Sequence, residues 1–294
     1  MGKRVLILFL AAAVFLAAAF WFYRNSRLRQ PMQPGAPPHA EGPRSAPAAA
    51  GGAGKAPSAG APASSESKGV EPPASSPRAG EVLDFAANVT KLNSTVANLT
   101  VKVVEHRNFF GKSAWHLQAF AHTENPYRMV FELDDQFDSY SEALNLHSLQ
   151  YEMHLSERGQ KADFVERMVS SGKDPAPPDA TAARVLPGTR DPLGLLMYLR
   201  GTDWSKTNAV HSPVFDGHKL YDVRAVLIAR DQSVAVTAGK FIAMKIEIHV
   251  LDNGAEMKDA HFLLYLAQGQ DRLPVLMEAV LPFATARVEL TKVH

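Results

Sequence analysis

The chain contains no cysteine among its 294 residues. Disulfides, thiol catalysis, zinc–thiolate sites and lipid attachment through an N-terminal cysteine are therefore excluded. An oxidising compartment is permitted but not required. Net charge is also nearly lacking: 31 Lys and Arg against 30 Asp and Glu leave a formal +1. With no basic run interleaved with aromatics in the later sequence, no nucleic-acid partner is expected. Signatures of catalysis are missing too. There is no Gly-x-Ser-x-Gly elbow, phosphate-cradling glycine loop, His-Glu-x-x-His or dinucleotide fingerprint. We expect no enzyme, no catalytic residue, no cofactor and no metal. Asp134, Asp135 and Asp138 form the densest acidic cluster. They lack the glycine and distal glutamate of a calcium loop, so a turn with Asx hydrogen bonds is the expectation. His116 and His122 would share a strand face about 20 Å apart, too far to bind one metal, and are expected to face solvent.

Long apolar runs are scarce, with one exception. Lys3 and Arg4 precede an unbroken run from Val5 to Tyr23, which as a helix would reach roughly 29 Å, enough for a bilayer core. Trp21, Phe22 and Tyr23 stand where an aromatic belt belongs, before Arg24, Arg27 and Arg29. Residues 1–29 are read as an uncleaved signal anchor, the competing reading being a signal peptide cut near Ala17-Ala18-Ala19. Residues 30–80 are dominated by Pro, Ala, Gly and Ser. With almost no larger apolar side chain they cannot offset the entropy of ordering, so a disordered linker is predicted.

Residues 81–294 are read as one β-domain. Period-2 alternation recurs: Leu83, Phe85, Ala87 and Val89; Leu99, Val101 and Val103; Trp115, Leu117, Ala119 and Ala121; Leu149, Tyr151, Met153 and Leu155; Ile242, Met244, Ile246, Ile248 and Val250. Turn signals such as Asp216-Gly217 and Asp252-Asn253-Gly254 separate the runs. The pattern predicts about ten strands, and the absence of a βαβ rhythm predicts antiparallel pairing. One helix interrupts it. Asp191 is placed to cap, Pro192 to occupy the first turn, and Gly201 to end the helix in a left-handed conformation. Leu193, Leu195, Leu196, Met197, Tyr198 and Leu199 cover nearly every face of it, so it must be enclosed. The expected architecture is mainly β: a strongly curved sheet or open barrel closed over this short helix.

Val214-Phe215-Asp216-Gly217-His218-Lys219-Leu220-Tyr221, Ala238-Gly239-Lys240-Phe241 and Asp271-Arg272-Leu273-Pro274-Val275 recur in order with Asp191-Pro192-Leu193, Tyr198-Leu199-Arg200 and Asp135-Gln136-Phe137-Asp138-Ser139-Tyr140. The series resembles bacterial domain-of-unknown-function family 3108. It departs from that pattern at Tyr265, where a tryptophan would be expected, and at Gln268-Gly269-Gln270, where acidic residues would be. The resemblance implies a cell-envelope β-domain, akin to half-barrel periplasmic lipoprotein carriers whose concave face shelters acyl chains. It implies a periplasmic domain on a single-pass inner-membrane anchor formed by residues 5–23.

Two functions compete. In the first, the domain binds a lipid or acyl chain, with Trp115, Leu117, Tyr151, Met153, Leu195, Met197, Tyr198, Met244 and Ile246 as candidate lining. In the second, those residues form a closed core and exposed edges or loops engage another envelope protein. Methionine and alanine on inward positions favour the first, because soft and small side chains leave adaptable space.

Overall fold

The computed structural model describes residues 77–90, 94–169, 181–257, 261–280 and 285–294. The anchor and nearly all of the linker lie outside them. Among the described residues no helix is long and apolar enough to cross a membrane.

The strands are β1 (Val82–Val89), β2 (Thr95–Phe109), β3 (Lys112–Thr123), β4 (Asp134–Glu142), β5 (Ser148–Glu157), β6 (Gln160–Val169) and β7 (Thr181–Arg184). After the helix α1 (Pro192–Gly201) come β8 (Ala209–Phe215), β9 (Leu220–Val236), β10 (Gly239–Asp252), β11 (Ala255–Glu256), β12 (His261–Ala267), β13 (Pro274–Val280) and β14 (Thr285–Val293). The alternation thus predicted mainly β structure correctly but undercounted it. Fourteen strands form one sheet, in the order β7-β6-β5-β4-β3-β2-β1-β14-β13-β12-β10-β9-β8, with β11 on β10. Pairing is antiparallel throughout except between β6 and β7, which run parallel. The short, polar β7 carried no alternation by which to be read.

Register explains which residues face in. Leu83, Phe85, Ala87 and Val89 are buried on one side of β1, matched across β14 by Ala286, Val288 and Leu290. β1 is zipped between β2 and β14, so the two ends of the domain meet at the middle of the sheet. In β10 the expected face breaks. Ile242 is 50% exposed whereas Ala243 and Met244 are both buried, because the register with β9 slips between Ala243 and Lys245. An extra residue on one strand reverses the alternation beyond it.

α1 lies within the curve, packed on β3, β4 and β8. All of its residues but Tyr198 are buried, as its all-round apolar sequence required. Its start follows expectation: the Asp191 side chain accepts from the Gly194 N–H at 2.8 Å, and Pro192 occupies the first position. Its end does not. Gly201 is the last helical residue, and the extended Thr202 closes the helix, its hydroxyl donating to the Tyr198 carbonyl at 2.8 Å. Arg200 then reaches the start of the domain. Its guanidinium lies 2.8 Å from Glu81, both side chains buried, and its Nε donates to the Asp271 carbonyl at 2.6 Å.

Candidate functional site

The concave side of the sheet gathers the residues named from the sequence. Leu117, Tyr151, Met153, Leu195, Met197, Met244 and Ile246 are buried in one apolar cluster, with Trp115 and Tyr198 partly buried against it. Trp115 stands at the margin, because β2 slips register between Val103 and Glu105 and the hairpin beyond diverges. Its ring packs 4.7 Å from His106. Tyr198 is likewise at a rim, its ring 3.6 Å beneath the Arg190 guanidinium.

The two outer portions of the sheet are joined by a short strap. Ser148 N–H donates to the Thr189 carbonyl, Arg190 N–H to Pro213, and Phe215 N–H to the Arg190 carbonyl, at 2.8–3.0 Å. This strap links β5 to β8 at one end. Arg190, buried, donates to Asn145 O at 2.7 Å and Ser212 Oγ at 3.0 Å. Burial lowers its pKa to about 10. Away from the strap, β5 meets the β8–β9 turn without ladder hydrogen bonds between the described strands. That seam is filled by side chains. A Cβ on Gly217 would overlap the sulfur and methyl of Met153 and come within 3.4 Å of the Tyr151 ring. Gly217 also has φ +91, so the turn needs a residue without a side chain twice over.

Beneath the strap a polar cluster holds the start of α1. The Asp191 carboxylate is fully buried and accepts from Ser139 Oγ at 2.6 Å, from Ser148 Oγ and from the Gly194 N–H. Burial pushes its pKa up against the lowering effect of those bonds. Ser141 Oγ stands 2.9 Å from Ser139 Oγ. Gly194 allows the helix to approach these serines. A Cβ there would lie 2.9 Å from Ser141 Oγ and 3.1 Å from the Leu146 carbonyl. The sequence indicated the cap but not its partners. The signal was present in β4, whose inward positions Asp135, Phe137, Ser139 and Ser141 are mostly polar.

The acidic cluster proves to be strand rather than turn, which corrects the Asx-turn expectation. Within β4 the three carboxylates diverge: Asp134 pairs with Arg128, Asp138 accepts from Gln118, Gln136 and His116, and Asp135 is wholly buried. Asp135 accepts one bond from Ser156 N–H at 2.9 Å and leaves Oδ2 without a partner. Burial raises its pKa to about 6, and that of the adjacent Glu157 to about 7. His116 also differs from expectation. Its side chain is only 14% exposed, 2.6 Å from Asp138 and stacked 4.6 Å from the Tyr140 ring. The cause is its neighbour on β4, Tyr140, whose ring lies on His116 and is itself stacked by Phe109 at 4.1 Å. His122, more open, meets Glu124 at 3.1 Å. Among the described residues no group of three metal-ligating side chains occurs.

A mainly β, open, barrel-like domain with an enclosed helix is the class this architecture defines. The chain belongs to the family described as protein of unknown function (DUF3108), whose profile matches residues 84–291. Solved structures similar to it include a β-barrel-like DUF1849 protein from Brucella abortus, with 12% identity, 74% of this chain and 97% of that chain covered, and a TM-score of 0.46. Another is a candidate lipoprotein from Parabacteroides distasonis, with 11% identity, 76% and 99% coverage, and a TM-score of 0.36. A third is a candidate exported protein with a YmcC-like fold from Bacteroides fragilis, with 8% identity, 76% and 99% coverage, and a TM-score of 0.29. No curated protein matches the chain.

Proposed function

We propose that this chain is a non-enzymatic envelope module, tethered to the inner membrane through residues 5–23, whose periplasmic domain shelters a lipid or acyl chain inside the curved sheet. The observation that supports it is the seam. Between β5 and the β8–β9 turn the Met153 side chain lies on Gly217, and no backbone ladder joins those described strands over the concave apolar face. An unbranched thioether rotates away at little cost, so it suits a site that must admit a chain-like ligand. Native mass spectrometry of the full chain, extracted from cells, is expected to show co-purifying lipid. A lipid-free protein that also binds no apolar fluorophore would remove this reading. The orientation is tested by a phosphatase fused after Gly80, which should be active.

A second reading, an envelope scaffold with a closed core, is supported by the convex face. Phe110, at the β2–β3 tip, is 62% exposed with Arg167 over its ring at 4.3 Å, the kind of aromatic and arginine pair that protein interfaces use.

A further inference from the structure

Tyr151 is fully buried on the concave face, and its hydroxyl has no hydrogen-bond partner among the described residues. An unpaired buried hydroxyl is costly, so it marks a place where a hydrogen-bonding group is missing. The position is at the seam, since the Tyr151 ring lies against Gly217. Burial keeps the hydroxyl a neutral phenol, and the strongest charges acting on it, Asp191, Asp216, Asp135 and Asp138, are all carboxylates that work in the same direction. Directly across the ladder, and so on the same face, stands Glu166, half-buried, its pKa raised by burial. Asp216 lies in the turn opposite, accepting from the His218 and Lys219 N–H groups. Of the cations nearby, Arg190 lies over the Tyr198 ring and donates through its two Nη to Asn145 and Ser212, with Nε buried and unpaired among the described residues, and Lys219 pairs with Asp252.

We infer that the polar end of the ligand is a hydroxyl, amide or amine, not a carboxylate or phosphate, and that it is held at the seam between Tyr151, Glu166 and Asp216. This rests on the apolar-ligand reading above and specifies its chemistry. A neutral or cationic head satisfies the Tyr151 hydroxyl and faces carboxylates favourably. An anionic head would enter a low-dielectric site where the largest charges acting on the Tyr151 hydroxyl are carboxylates.

The test uses the full chain in lipid nanodiscs and three photoreactive probes with identical twelve-carbon tails carrying a diazirine: an amine, an alcohol and a carboxylate. Labelled peptides are mapped by mass spectrometry, and each probe is normalised to its labelling of the bulk lipid. The amine and alcohol are expected to label peptides of β4, β5 and α1 about tenfold more than the carboxylate, a modest ratio for like charges a few ångströms apart at a partly buried site. Glu166→Gln should narrow the ratio of amine to carboxylate, and Tyr151→Phe should lower labelling by the alcohol. Glu166 is half-buried and glutamine nearly isosteric, so that variant keeps the test decisive if Tyr151→Phe fails to fold. Equal or stronger interior labelling by the carboxylate overturns the assignment of the head and leaves the cavity standing. Absence of interior labelling by all three probes overturns both.

Discussion

Single residues set how closely α1 approaches the sheet. In a free helix, Gly194→Ala would help by about 1 kcal/mol, since alanine is the better helix former. Here the new methyl would meet Ser141 Oγ at 2.9 Å and the Leu146 carbonyl at 3.1 Å. The second of these is backbone and cannot turn aside. Overpacking of this kind costs about 1 to 3 kcal/mol, so it outweighs the gain in propensity. Chemical denaturation should show Gly194→Ala less stable than the parent, and equal or greater stability would refute the close approach. Titration is also set at single residues. Asp135 and Glu157 have folded pKa values raised by burial to about 6 and about 7. Between their unfolded values and these, the folded chain holds protons that the unfolded chain has lost, so stability is greatest below about pH 4 for this contribution and falls as pH rises toward 7. Each shift corresponds to about 3 kcal/mol at most, less for the partly exposed Glu157. Melting temperature should decline from pH 5 to pH 8, and Glu157→Gln should flatten that decline. An unchanged slope in the variant would show that Glu157 is not the group responsible.

At the level of the element, α1 distinguishes a ligand cavity from a closed core. Leu196 and Met197 are both buried in the apolar cluster. If they plug a dry interior, truncation of either to alanine leaves a void and costs about 2 to 5 kcal/mol. If either borders space that a ligand fills, the loss should fall well below that range while binding of an apolar probe changes. Denaturant midpoints at constant m-value separate the two. A full loss at both positions, with no probe bound by the parent, would leave only the scaffold. The helix ends are held differently, by a capping cluster at Asp191 and by the Glu81–Arg200 pair at the other end. Removing one member of a buried pair strands the other charge, so this anchor specifies position more than it adds net stability.

Across the whole molecule the decisive contact is β1 with β14, where Leu83 pairs with Val293 and Val89 with Ala286. This pairing joins the β2–β7 and β8–β13 portions of the sheet through residues from opposite ends of the domain. Deleting residues 285–294 would expose the edges of β1 and β13 and uncover buried Phe85 and Met277. We expect that truncation to lose its cooperative thermal transition in calorimetry. A sharp transition near the parental temperature would mean that the two portions fold independently.

How much of this was written locally follows from range. Strand and helix identity depend on neighbours along the chain, so the alternation of Leu83 to Val89, the Asp191 cap and the turns at Gly217 and Gly254 were legible from residue order. The burial of Leu117, Tyr151 and Met153 was legible for the same reason, since residues alternating with polar neighbours share one face of a strand. The failures share a physical cause. Ile242 lost its inward place to a register slip with β9, and His116 was covered by the Tyr140 ring of the neighbouring strand. Asp134, Asp135 and Asp138 looked like a turn, whereas they lie on a strand whose inward Ser139 finds its partner, Asp191, at the start of a helix 52 residues later in the chain. Composition and periodicity decided that the domain is β-rich with one enclosed helix. Only the tertiary structure decided where neighbouring strands lack a ladder and which polar atoms are buried without a partner, because both arise from contacts between distant segments that no local pattern encodes.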